Sequence, residues 1–160
     1  MDTTQTPCIG ICSTVFGDDI CRGCKRYSQE IIRWNQFGAP AKDIVWRRLE
    51  KLQKQVIKEK IHIQDFALFQ HQLTRYQIKH NPQLDPLCWV FNLLEQKKSV
   101  LKHTRELGLQ IRPPYQHLSL EQLFETLDSA LYELSVAHFD LSQARHWGNI
   151  KKSTLEKTSS

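Results

Sequence analysis

The sequence predicts a mainly α protein, with a small N-terminal four-cysteine metal-binding lobe followed by amphipathic helices that form a bundle. Three observations predict it. Four of the five cysteines, Cys8, Cys12, Cys21 and Cys24, crowd the start of the chain with the spacing C-x3-C-x8-C-x2-C. After Cys24 apolar residues recur at intervals of three and four, the period of a helix with one buried face. Residues that start and stop helices punctuate these runs: Ser28, Pro40, Asp85-Pro86, Gly108 and Ser119. With 160 residues, 40% of them hydrophobic, the chain suffices for one or two small domains with a modest core. The expected division is a cysteine-rich domain with two helices over residues 1–60, a helical region over 61–150 and a polar tail over 151–160.

In the lobe, each cysteine pair is spaced so that the chain can curl round one ion. The loop from Ser13 to Ile20 can bring the second pair back to face the first. Val15-Phe16 and Ile20 favour strand and Gly17-Asp18-Asp19 a turn, so a short hairpin is expected there. Gly10 and Gly23 lie inside the chelating loops, where glycine frees the backbone to aim N–H groups at sulfur. Lys25 and Arg26 follow at once, with charge to offset thiolates. Tetrahedral Zn²⁺ on four cysteines fits this pattern, and so does an iron–sulfur cluster. Two disulfides are the competing use of the same thiols, but they suit exported proteins. The start, Met1-Asp2-Thr3-Thr4-Gln5-Thr6-Pro7, is polar and has no apolar stretch of a secretory signal. No apolar run approaches the about 18 residues of a membrane span. A cytoplasmic protein, away from membranes, is the expectation. Cys88, within Leu87-Cys88-Trp89-Val90-Phe91, reads as a small buried hydrophobe.

The helices follow in order. Ser28 is placed to cap a helix through Gln36 with Gly38 as its stop, Ile31 and Trp34 on one face, and Trp34 against the lobe. Pro40 opens the next, to about Lys60, with the stripe Ile44, Val45, Leu49, Leu52 and Val56. A third spans Asp65 to Lys79 through Phe66, Phe69, Leu73 and Tyr76. A fourth runs from Asp85-Pro86 to Leu107, before Gly108. Arg112-Pro113-Pro114-Tyr115 is a stiff connector. Ser119-Leu120-Glu121-Gln122 is a capping box, opening a helix with Leu120, Leu123, Phe124, Leu127, Leu131, Leu134 and Leu141 inward, ending near Trp147-Gly148. Residues 61–160 are expected to fold as a helical bundle on their own.

The first sixty residues resemble a known family. Pro7-Cys8-Ile9-Gly10-Ile11-Cys12, Cys21-Arg22-Gly23-Cys24-Lys25-Arg26, Glu30-Ile31, Trp34 and Arg47-Arg48-Leu49 match the YdhL-like bacterial domain of unknown function, whose members are described as predicted iron–sulfur proteins. The chain differs where many relatives have a Met-Ser helix start, here Gly38-Ala39-Pro40, a change at a cap rather than at the cysteines. The resemblance implies bacterial origin and metal ligation by Cys8, Cys12, Cys21 and Cys24. It implies no activity, and it stops near residue 60.

Charge points to a partner less sharply. The formal net charge is +5; four thiolates holding one Zn²⁺ would bring it to about +3. Residues 1–60 carry eleven Lys/Arg and seven Asp/Glu, residues 61–160 eleven and ten, so the basic excess lies near the cysteines. Arg22, Lys25, Arg26, Arg33, Arg47, Arg48, Lys51, Lys54 and Lys58 could hold phosphates, and Tyr27, Trp34 or Trp46 could stack on bases, which would give weak nucleic-acid binding. A solvated helix face that also offsets the thiolates is the plainer expectation; a pairing surface for a protein partner is the minority one. His62, His71 and His80 recur every nine residues and so alternate sides of a helix, which does not suit a shared metal. No phosphate-binding glycine loop, dinucleotide fingerprint or nucleophile elbow occurs. Two functions therefore stand: a non-catalytic, metal-stabilised binding or adaptor module, and an iron–sulfur protein for electron transfer or redox sensing.

Overall fold

The structure is a computed structural model. It describes residues 6–101 and 103–158, from residue 145 onward by backbone path alone. Met1–Gln5, part of the polar start described above, lie outside these residues. The architecture is mainly helical, as the apolar periodicity predicts. Its elements are α1 (Ser28–Ile32), α2 (Ala39–Lys58), β1 (Ile61–Ile63), α3 (Phe66–Arg75), α4 (Pro86–Lys97), β2 (Leu109–Ile111) and α5 (Leu120–Thr158), with short 3₁₀ turns at Ser13–Phe16, Trp34–Gln36, Arg105–Leu107 and Pro113–Tyr115.

Helices α2, α4 and α5 pack on one another and enclose the core. From α2 come Val45, Trp46, Leu49, Leu52, Val56 and Ile57. From α4 come Cys88, Trp89, Val90, Phe91, Leu93 and Leu94, and from α5 Leu120, Leu123, Leu127 and Leu131. Of the predicted α2 stripe, Ile44 alone points to solvent. On α5, Phe124 and Leu134 are half-buried and Leu141 is exposed. Side chains from both sides of residue 60 thus share one core. Residues 61–160 are not an isolated bundle here: α2 supplies a wall of it.

The caps read at Asp85 and Ser119 are made and Asp65 adds another, whereas the one placed at Ser28 is not: Tyr27 holds that position, its amide donating to Glu30 Oε2 at 2.9 Å. Asp65 accepts the Leu68 amide at 2.9 Å and opens α3; Asp85 accepts that of Leu87 at 3.0 Å and opens α4. The Ser119 box is reciprocal, with Ser119 N–H donating to Gln122 Oε1 at 2.9 Å and Gln122 N–H to Ser119 Oγ at 3.2 Å.

Several elements differ from expectation. The first helix is a single turn, α1, and then tightens into the Trp34–Gln36 turn that carries Trp34 into the core. α3 ends at Arg75, because Gln77 adopts a left-handed φ of 53°. α4 stops at Lys97 rather than Leu107. The chain beyond it turns back to lay β2 antiparallel on β1, pairing Ile61 with Ile111 and Ile63 with Leu109. Gly108 makes that return possible: its φ is +70°, its carbonyl accepts the Gln64 and Asp65 amides, and a Cβ there would run into the Asp65 carbonyl. The backbone of α5 passes Gly148 and the polar tail to Thr158, since one interior glycine costs only about 1 kcal/mol against alanine. The expected hairpin in the first cysteine loop is a 3₁₀ turn, Ser13–Phe16, closed by Gly17 in the left-handed region.

Candidate metal centre

The reversal that does form lies one step later. Ile20 bridges Tyr27 in antiparallel fashion, the Cys21 amide donates to the Arg26 carbonyl at 2.9 Å, and the Lys25 amide to the Cys21 carbonyl at 2.8 Å. Cys21-Arg22-Gly23-Cys24 is therefore a tight turn inside a small β-loop. Both its thiols are buried, and the Cys24 thiol hydrogen-bonds Cys21. Burial works against a Cys21 thiolate, yet backbone groups of Cys24, Ser13 and Gly23, together with the Cys24 thiol, outweigh it and hold Cys21 below the ordinary thiol value. Cys24 goes the other way. Burial raises it, and the Arg26 guanidinium, with Nε 3.4 Å from Cys24 Sγ, only partly offsets that.

The first pair lies alongside. A Cβ on Gly23 would stand 2.8 Å from the Ile11 carbonyl oxygen, so only glycine lets the Cys8–Cys12 segment lie this close to the turn. The Cys21 thiol donates to that same carbonyl at 3.5 Å. Cys8 is exposed, and its sulfur accepts the Gly10 amide at 3.4 Å, turned toward it by a φ of 89° at Gly10. Cys12 is half-buried and shares a hydrogen bond with Thr14 Oγ1 at 3.0 Å. All five cysteines are free thiols. The structure thus brings Cys21 and Cys24 together and lays the Cys8–Cys12 segment against them. Among the described residues it does not gather three His, Cys, Asp or Glu side chains closely enough to hold a metal. Four cysteines are donors of the kind a tetrahedral thiolate site uses, and of these Cys21 and Cys24 are in contact.

The two basic residues after Cys24 have different roles. Arg26 is buried between Cys24 and Trp34, its guanidinium 4.7 Å from the ring centre, which ties Trp34 to the turn as expected. Lys25 does not face the sulfurs. Its ammonium donates to the Arg22 and Gly23 carbonyls and pairs with Asp128 on α5. Beside it Arg22 lies over Tyr132 at 4.7 Å, and Tyr27 meets Phe139 edge-on at 4.9 Å. Nothing local marks Asp128, Tyr132 or Phe139, which come from more than a hundred residues away. Their spacing on one face of a long helix is the only signal in the sequence.

The basic face is largely paired. Arg48 bonds Glu30 at 2.5 Å and covers the Tyr27 ring at 3.8 Å. Burial raises the Glu30 carboxyl above its usual range in spite of Arg48. Arg47 reaches Glu50 at 2.9 Å and Asp43 at 3.7 Å, and Lys54 reaches Asp85 at 2.6 Å. Trp34 and Trp46 are buried in the core, and Tyr27 is covered by Arg48 and Phe139. The base-stacking expectation for these three aromatics is therefore corrected: their faces are spent on internal packing. Arg33, Lys51 and Lys58 remain exposed.

Cys88 is wholly buried, its thiol near the Glu50 carbonyl, and burial pushes it up to about 12. His62, His71, His103 and His117 are exposed. His80 turns Nδ1 to the Ile78 carbonyl at 2.9 Å and packs on Trp89. The side chain of His146 lies outside the described residues. No helix among the described residues is long and apolar enough to cross a membrane.

Neither a curated protein nor a solved structure matches the chain. Over residues 6–53, which hold the cysteine turn, α1 and most of α2, the chain matches the model of an uncharacterised family described as a protein of unknown function, DUF1289.

Proposed function

We propose that the chain is a small cytoplasmic metal-binding protein, carrying zinc or an iron–sulfur cluster on Cys8, Cys12, Cys21 and Cys24, and that it acts as a non-catalytic binding or adaptor module. The observation that carries this reading is the Cys21–Cys24 turn: two adjacent buried thiols, with backbone groups and Arg26 directed at their sulfurs. At Cys21 the donors outweigh burial and favour the thiolate, the form in which cysteine binds metal, whereas at Cys24 Arg26 offsets burial only in part. The Cys8–Cys12 segment lies against the turn, and the Gly10 amide is already turned to Cys8 Sγ. A metal bound there would cross-link the two segments; in small finger peptides zinc supplies on the order of 10 kcal/mol of folding free energy.

The adaptor half of the reading rests on surface. Ile11, Val15 and Phe16 are exposed on the lobe, Phe16 at 90%, and apolar exposure of this kind suits a protein partner. Nucleic acid is the weaker alternative, because a phosphate would have to displace carboxylates from Arg47, Arg48 and Lys54. Anaerobic purification followed by elemental analysis and a visible spectrum tests the metal. Colourless protein with one zinc per chain supports a structural site. Brown protein with iron and acid-labile sulfide moves the reading to electron transfer or redox sensing. Protein with neither, after reconstitution with each, refutes it.

A further inference from the structure

We propose that Lys25 is a latch that ties the cysteine turn to helix α5 through Asp128, so that metal loss at the turn is transmitted to the middle of α5. The inference rests on the metal reading above and deepens it, because it names what the metal state would regulate.

Lys25 occupies a left-handed conformation, φ 59°, where glycine is the economical residue. A lysine is held there, and its side chain shows why. It is 2% exposed, and its ammonium has three donors, one each for the Arg22 carbonyl, the Gly23 carbonyl and the Asp128 carboxylate. Two of these acceptors belong to the chelating turn itself. The third belongs to α5. The ammonium can satisfy all three only while the turn keeps the shape that pairs Cys21 with Cys24.

The rest of the contact is arranged on the same line. Asp128, Tyr132 and Phe139 are spaced at four and seven residues, one face of α5, and Ser135 between them is fully buried. Lys25 meets Asp128, Arg22 meets Tyr132 and Tyr27 meets Phe139. This face is separate from the Leu120, Leu123, Leu127 and Leu131 stripe that enters the core. Helix α5 thus has two stripes: one holds the bundle together and the other receives the cysteine turn. If the turn relaxes on metal loss, Lys25 loses its carbonyls, and a buried ammonium without its full set of acceptors is costly. The contact to α5 then opens, and the Asp128–Phe139 face is uncovered.

Hydrogen exchange on the full-length protein tests this, with zinc as the probe and zinc stoichiometry measured on the same samples. In the wild type, zinc should slow amide exchange over residues 128–139 by about tenfold relative to chelator-treated protein. In Asp128→Asn, zinc should bind at the same stoichiometry but leave exchange over 128–139 fast, while the Leu123–Leu127 amides stay protected as a control for folding. Zinc binding without slowing in the wild type overturns the latch and leaves the metal reading standing. Equal slowing in Asp128→Asn also overturns the latch. No zinc bound by the wild type overturns the latch together with the zinc form of the metal reading.

Discussion

Cys88 and Cys8 are the extremes of the five thiols. Cys88 is wholly buried and pushed up to about 12, so at about pH 8 it stays neutral, and the neutral thiol is not the nucleophile. Cys8 is exposed. In metal-free, reduced, folded protein, iodoacetamide should alkylate Cys8 first and leave Cys88 untouched until the protein unfolds. Peptide mass spectrometry over a time course reads the order; Cys88 labelled as fast as Cys8 would contradict the packing described. The burial of Cys88 is legible in sequence because its neighbours Leu87, Trp89, Val90 and Phe91 leave it no polar setting. The role of Lys25 is not. Its charge suggests thiolate compensation, and only the fold reveals that Asp128 lies within reach.

Asp85 carries a measurable share of α4. It accepts the Leu87 amide and pairs with Lys54. Burial alone would raise its carboxyl, but Lys54 and the Leu87 amide outweigh that and hold it below the usual aspartate value. Asp85→Ala should cost about 1–2 kcal/mol, mostly the lost cap, since the Lys54 pair is partly exposed and screened. Because the folded carboxyl is depressed, its contribution is fully present above the unfolded aspartate value of about 3.9 and is lost as pH falls through the lower folded one. Urea melts of wild type and variant should therefore differ most at neutral pH and draw closer as pH falls below the aspartate range; a gap that widens in acid would contradict this. The caps at Asp85 and Ser119 are legible because they are local chemistry; the one read at Ser28 falls one residue late, since Tyr27 holds that position. Strands β1 and β2 were not, since three residues of alternation do not stand out from a loop, and what creates them is their pairing across some fifty residues. The end of α4 was missed for the same reason: it is set by where β2 must arrive.

At the scale of the molecule, the apolar stripes show which faces are buried but not which helix each one meets. Hence the separate bundle expected for residues 61–160, where the structure instead inserts α2 against α4 and α5. A fragment of residues 61–160 would expose the surface that Val45, Leu49, Leu52, Val56 and Ile57 cover. It should keep helical circular dichroism, bind a hydrophobic dye and melt without a sharp transition; a cooperative melt matching that of the full chain would contradict the shared core. The spacing groups the four cysteines, but the structure brings only Cys21 and Cys24 together: their turn is fixed by backbone hydrogen bonds, whereas Cys8 and Cys12 make contacts of their own with Gly10 and Thr14.

Metal content per chain across a set of cysteine variants purified anaerobically decides whether the four N-terminal cysteines hold one metal centre. The metal reading predicts the same loading in the wild type and in Cys88→Ala, and loss of metal in Cys8→Ser, Cys12→Ser, Cys21→Ser and Cys24→Ser alike, because one thiolate fewer opens a closed tetrahedral site. Full loading in a Cys8→Ser, Cys24→Ser double variant would contradict it.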